Sequence, residues 1–156
     1  MTLLKGKPIF KGIESGPALK TDKAMNFTAS FTKIANLLPF RRSYVQDRHH
    51  EFYGKNIKGR VLIFPAVIGS TYTGMVILNL IVNHCAPAAM IVQNAEPLLV
   101  SGALLGDTWF QKSIPIVEYQ GDDIYDRVAE NDWVTVNGNT GEIQVDKQNI
   151  LKTRFT

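Results

Sequence analysis

At 156 residues, 45% of them hydrophobic and 20% charged, the chain fits one compact domain spanning residues 1–156 with a core of its own. Its single cysteine, Cys85, excludes an internal disulfide framework and any thiolate metal site built by this chain alone. No apolar run approaches the roughly 18 residues needed to cross a bilayer, and a charge of +3, scattered apart from Arg41, Arg42 and Arg48, carries no recognisable nucleic-acid motif.

In chain order, Met1 to Lys7 lacks the apolar region of a secretory signal, so a cytoplasmic location is expected, with neither membrane nor nucleic acid as partner. Pro8-Ile9-Phe10 and Ala18-Leu19-Lys20 read as short strands punctuated by Gly12 and Gly16. Residues 23–58 are irregular but rich in aromatics (Phe27, Phe31, Phe40, Tyr44, Phe52, Tyr53), which predicts a long excursion with some strand content and buried rings. A strand at 60–65 then leads into a helix at about 72–84, apolar nearly all round and therefore expected to pack on both sides. Ala89 to Val92 is a second strand, and Pro97 opens a helix reaching about Leu105. Ile114 to Val117 forms a third strand and Asp122 to Ala129 a short helix. Trp133–Val136 and Glu142–Val145 pair as a hairpin around Asn137 to Gly141. Alternation of strand and helix from 60 to 117 predicts an α/β fold with a parallel β-α-β core.

Chemistry concentrates at Gly69-Ser70-Thr71-Tyr72-Thr73-Gly74, where a buried strand meets an apolar helix. Unpaired N–H groups and the helix dipole favour negative charge at such a point. The Gly-x-x-x-x-Gly spacing matches half of a phosphate-binding loop, but Met75 and Val76 stand where Lys and Ser/Thr are required. A nucleophile elbow needs Gly-x-Ser-x-Gly, whereas Ser70 directly follows its glycine. On spacing alone, Ser70 or Thr71 is a helix cap.

The order of motifs says more. Asp47-Arg48-His49-His50-Glu51-Phe52-Tyr53-Gly54-Lys55-Asn56-Ile57-Lys58-Gly59-Arg60-Val61-Leu62-Ile63-Phe64-Pro65 is followed by Gly69-Ser70-Thr71, Ala86-Pro87-Ala88-Ala89-Met90-Ile91-Val92, Ala95-Glu96-Pro97, Ser101-Gly102 and Ser113 to Val117. This series, covering about residues 5–147, resembles the small subunit or small domain of the aconitase X family. The resemblance implies a swivelling β/β/α domain with a C-terminal β-hairpin, closing over a large aconitase X subunit in a hetero-oligomer. It also implies a hydro-lyase acting on a small hydroxy acid: the family dehydrates cis-3-hydroxy-L-proline or mevalonate 5-phosphate. By the same resemblance Ser70 is the catalytic base, and an iron or iron–sulfur centre in the partner is the Lewis acid. Gly69, Thr71, Thr73 and Gly74 bind substrate, and this chain binds no metal of its own. The chain alone is then expected to be inactive.

Departures from the family pattern qualify the substrate. Val67 and Ile68 stand where a glycine and a basic residue are usual, Thr73-Gly74 replaces a usual serine, and residues 27–44 lack a Gly-Val-Asp-Pro turn. The missing basic residue weakens the case for a phosphate, so cis-3-hydroxy-L-proline is slightly favoured. The alternative reading is a non-catalytic small-ligand-binding or assembly module that keeps the fold. His50 fits a family position but reads more readily as a hydrogen-bonding histidine than as a catalyst, with His49 on the opposite face of a strand. Glu96 precedes a helix start that favours a carboxylate, and Cys85 reads as a small core residue.

Overall fold

A computed structural model describes residues 1–148. Its strands are β1 (Thr2–Lys5), β2 (Lys7–Phe10), β3 (Ile13–Lys20), β4 (Val61–Phe64), β5 (Ala89–Val92), β6 (Ile116–Glu118), β7 (Trp133–Asn137) and β8 (Glu142–Asp146). They form an 8-stranded mixed sheet in the order β1-β8-β7-β3-β4-β5-β6-β2. β3 to β6 run parallel, and the remaining pairings are antiparallel. β1 and β2 occupy opposite ends of that order, yet only Gly6 separates them in sequence, so the two ends meet and the sheet curls closed. The Gly6 N–H donates to the Gly141 carbonyl at 2.8 Å, and a Cβ on Gly6 would lie 2.6 Å from both the Glu118 carbonyl oxygen and Val117 Cγ1. Only glycine fits that joint.

Closure explains why β4 and β5 are buried on both faces. Their alternate residues feed two cores. Val61, Ile63, Ala89 and Ile91 point into the curl with Leu4, Val117, Val134, Val136, Ile143 and Val145. Leu62, Phe64, Met90 and Val92 point outward beneath α2 (Thr73–Val82) and α3 (Pro97–Phe110). The two crossovers step the same way along the sheet, β4 to β5 to β6, so crossovers of one hand put both helices on one face. There the helices meet through glycine: a Cβ on Gly102 would lie 2.8 Å from Ile77 Cβ, and one on Gly106 2.5 Å from Ile81 Cδ1.

The aromatic excursion buries Phe27, Phe31 and Phe52 against this outer core. Where some strand content was expected, it holds α1 (Phe27–Phe31), two 3-10 turns and only the isolated bridges Met25↔Val67 and Tyr44↔Asn56. Further corrections follow from packing. β1 and the first half of β3 exist because the antiparallel strands β8 and β7 pair with them, which no local pattern announces. α3 runs on to Phe110 because its glycines lie against α2, and it ends at Gln111 in a left-handed cap with φ 52°. α2 is not enclosed on both sides: Met75, Asn79 and Val82 form an exposed stripe. The third strand lies at Ile116–Glu118, and α4 (Ile124–Arg127) is shorter than the sequence implies. The terminal hairpin forms where expected.

Glycine to alanine inside a helix ordinarily stabilises by about 1 kcal/mol. Gly102→Ala is expected to reverse that sign and cost about 1–3 kcal/mol in chemical denaturation, because the methyl meets Ile77 Cβ and the Gly74 carbonyl. A second test concerns the buried Asp132, whose carboxylate accepts from the Ala129 N–H (2.8 Å) and the Gln148 N–H (3.0 Å) and pairs with Lys147 (3.0 Å). Burial works to raise its pKa, but these donors and the ammonium together hold it below the usual carboxylate value. A depressed folded-state pKa contributes stability that is present above the unfolded value and lost as pH falls through the folded one. Wild-type stability is therefore expected to fall with acidification below about pH 4, and Asp132→Asn to be less stable at neutral pH with a flatter acid profile.

Candidate functional site

The Gly69-Ser70 loop sits at the C-terminal edge of the parallel strands, where open α/β sheets place their ligands. Pro65 ends β4, and its carbonyl accepts the N–H groups of Gln93 (3.0 Å) and Asn94 (2.9 Å). The chain then pairs with Met25, which precedes the α1 N-cap Asn26: Met25 N–H donates to the Ala66 carbonyl at 3.0 Å, and Ile68 N–H to the Met25 carbonyl at 2.9 Å. This bridge buries Val67 and turns Ile68 to solvent, 54% exposed. Gly69 follows at φ +96°, a conformation that side chains disfavour.

Ser70 stands before the helix rather than at its cap. α2 begins at Thr73 with Tyr72 as N-cap, and Tyr72 makes no side-chain capping bond. Ser70 Oγ accepts the Tyr72 N–H at 3.0 Å, and the Ser70 carbonyl accepts the Thr73 hydroxyl at 2.9 Å. The serine hydroxyl thus has one backbone donor aimed at its oxygen. Gly69, Ser70 and Thr71 reach the surface, whereas Thr73 and Gly74 are buried. Thr73 spends its hydroxyl on the turn, and a Cβ on Gly74 would lie 2.6 Å from Ser101 Oγ, so this glycine lets α3 approach.

No Asp, Glu, Lys, Arg or His occurs between Pro65 and Val76. The loop's polarity comes from backbone dipoles and hydroxyls, and its rim is apolar: Ile68, Tyr72 (66% exposed) and Met75. At the neighbouring strand end, a Glu118 carboxylate oxygen accepts the Ala95 N–H at 3.0 Å. Glu96 is the N-cap of α3 without a side-chain bond. His49 and His50 lie in a turn rather than on a strand. His49 is exposed; His50 is buried, its Nδ1 accepts the Phe52 N–H at 3.0 Å, and its ring stands edge-on to Phe52. Cys85 is buried in the outer core. Among the described residues no three His, Cys, Asp or Glu side chains converge as a metal-ligand set. Among them, too, no helix is long and apolar enough to cross a membrane.

A cavity of about 300 Å³ lies at the opposite, N-terminal end of the strands, lined by Lys58, His84, Lys112 and Ser113 among others, and it takes in none of the loop residues. Asn26, which in sequence spells only a glycosylation acceptor without a secretory signal, does reach the loop. It sits beside Met25 in the bridge, and the position a Cβ would take on Gly69 is 2.5 Å from its Nδ2. Only the pairing of chain segments distant in sequence brings the two together, so no local signal marks it. Thr73→Val removes the hydroxyl that ties the turn and is expected to cost about 1 kcal/mol in thermal denaturation, with faster amide exchange at residues 70–73.

Comparison with known proteins identifies the family and the fold. The family model for the aconitase X swivel domain matches residues 3–145. The chain is 36% identical over 142 residues to a protein of Methanocella arvoryzae named phosphomevalonate dehydratase small subunit, covering 91% of this chain and 98% of that one. The protein of the same name from Methanosarcina mazei is 34% identical over 144 residues, covering 92% and 91%. The crystal structure of Thermococcus kodakaraensis aconitase X in its holo-form superposes with a TM-score of 0.77 at 29% identity, over 93% of this chain and 98% of that one. The chain belongs to the aconitase X family, as its swivel domain.

Proposed function

We propose that this chain is the small subunit of an aconitase X dehydratase, and that its substrate is mevalonate 5-phosphate. The observation that carries the reading is a half-buried serine on a turn that needs Gly69 at φ +96°, at the carboxyl edge of a parallel sheet, in a loop with no charged side chain. Such a serine is half of an active site. The relatives named phosphomevalonate dehydratase small subunit support the substrate, and they lend nothing to the preference for cis-3-hydroxy-L-proline that the absent basic residue favoured.

In this reading Ser70 Oγ removes the substrate proton. A serine hydroxyl is too weakly acidic to serve unless its anion is stabilised, and the Tyr72 N–H at 3.0 Å supplies one part of that field. Gly69 and Thr71 line the substrate, while Thr73 and Gly74 hold the turn from behind. The remaining stabilisation comes from a large subunit docked on the apolar rim of Ile68, Tyr72 and Met75. The described side chains do not fit an iron or iron–sulfur centre, which in this reading belongs to that partner.

The test is co-purification of the chain with its large subunit, followed by dehydration assays on mevalonate 5-phosphate and cis-3-hydroxy-L-proline side by side. The expected outcome is a stoichiometric complex that turns over the phosphorylated substrate, no turnover by the isolated chain, and a loss of about 10²- to 10⁴-fold in Ser70→Ala with assembly intact. Activity of the isolated chain overturns the subunit reading. Normal turnover by the Ser70→Ala complex favours a non-catalytic module.

A further inference from the structure

We infer that Asn26 is a substrate-binding residue, whose carboxamide Nδ2 donates to an anionic oxygen of the substrate held at the Gly69-Ser70 turn; this rests on the reading of that turn as the active site. Three observations place the donor. The Asn26 Oδ1 accepts the Ala29 N–H at 3.0 Å as the N-cap of α1. A backbone N–H can only donate, so the oxygen must face the helix and the NH₂ group must face the other way. That other way is the turn. The Met25 bridge fixes the neighbouring backbone, and the place a Cβ would take on Gly69 lies 2.5 Å from Nδ2, 2.9 Å from Cγ and 3.0 Å from Oδ1 of Asn26. Finally, Nδ2 has no hydrogen-bond acceptor among the described residues, although the side chain is half-buried and its oxygen is fixed.

A donor with its orientation set by one bond and its second function open to solvent beside Gly69 is available to a ligand there. The loop itself gives such a donor a use, because Pro65 to Val76 contains no cation and an anionic group meets only neutral donors from this segment. Both candidate substrates carry a carboxylate and one also carries a phosphate, and either group presents the acceptor that Nδ2 would satisfy. Gly69 is then required twice, for its φ of +96° and because any side chain would occupy the space of the Asn26 amide.

Asn26→Asp separates this role from capping. Aspartate is as good an N-cap as asparagine, so the Ala29 bond and the fold are retained, while the donor is replaced by an acceptor carrying negative charge. In the reconstituted complex, assayed with both substrates, the variant is expected to keep the wild-type melting temperature and lose roughly 10- to 100-fold in kcat/KM, mainly through KM. Asn26→Ser, which keeps a short cap and restores a neutral donor, is expected to fall between the two. A wild-type complex that turns over substrate beside an Asn26→Asp complex of equal kcat/KM overturns this inference alone. Should the wild-type complex turn over neither substrate, the active-site reading falls and the inference with it. A loss confined to mevalonate 5-phosphate supports the inference and places the contact at the phosphate.

Discussion

The fold depends on a single contact at Gly6. β1 and β2 pair with opposite ends of the sheet, and one residue must carry the chain between them while lying against Val117, Glu118 and Gly141. With any larger residue the joint must shift, because a Cβ would lie 2.6 Å from the Glu118 carbonyl oxygen. Closed, the sheet has an inside, filled by Leu4, Val61, Ile63, Ile91, Val136 and Ile143, and an outside that needs covering. α2 and α3 cover it, and the excursion between β3 and β4 supplies Phe27, Phe31 and Phe52 beside them. An order of strands thus becomes two cores, each with half of every central strand.

The excursion also builds the Gly69-Ser70 turn. Met25 pairs with Ala66 and Ile68, burying Val67 and fixing where the chain must reverse at Gly69. The apolar pair Val67-Ile68 is thereby divided: one residue anchors the loop and the other faces outward beside Ser70. The position where a basic residue is usual, Ile68, faces solvent and carries no charge here. The loop accordingly works with dipoles, hydroxyls and a neighbouring amide rather than with a cation.

Much of the site was legible in the amino-acid sequence. A glycine followed by serine between an apolar strand and an apolar helix pointed to the turn, and the ordered motifs pointed to the family. Local pattern does not say which residues of that turn face out. Thr73 and Gly74 are turned inward because a helix needs its first hydroxyl bonded and a neighbouring helix needs a small residue opposite it. Asn26 was invisible for a related reason: its relation to Gly69 exists only once the Met25 bridge has formed.

Periodicity and punctuation, by themselves, determined β4, β5, the start of α3 at Pro97 and the terminal hairpin, because each is specified by residues adjacent in the chain. β1 and the first half of β3 were decided by tertiary structure, since their antiparallel partners lie more than a hundred residues away. So were the length of α3, which its glycines extend along α2, and the division of the Gly69–Gly74 turn into an exposed and a buried half. The physical reason is common to all of them: hydrophobic pattern states which residues must leave water, whereas the partner each one finds is chosen only when the sheet closes.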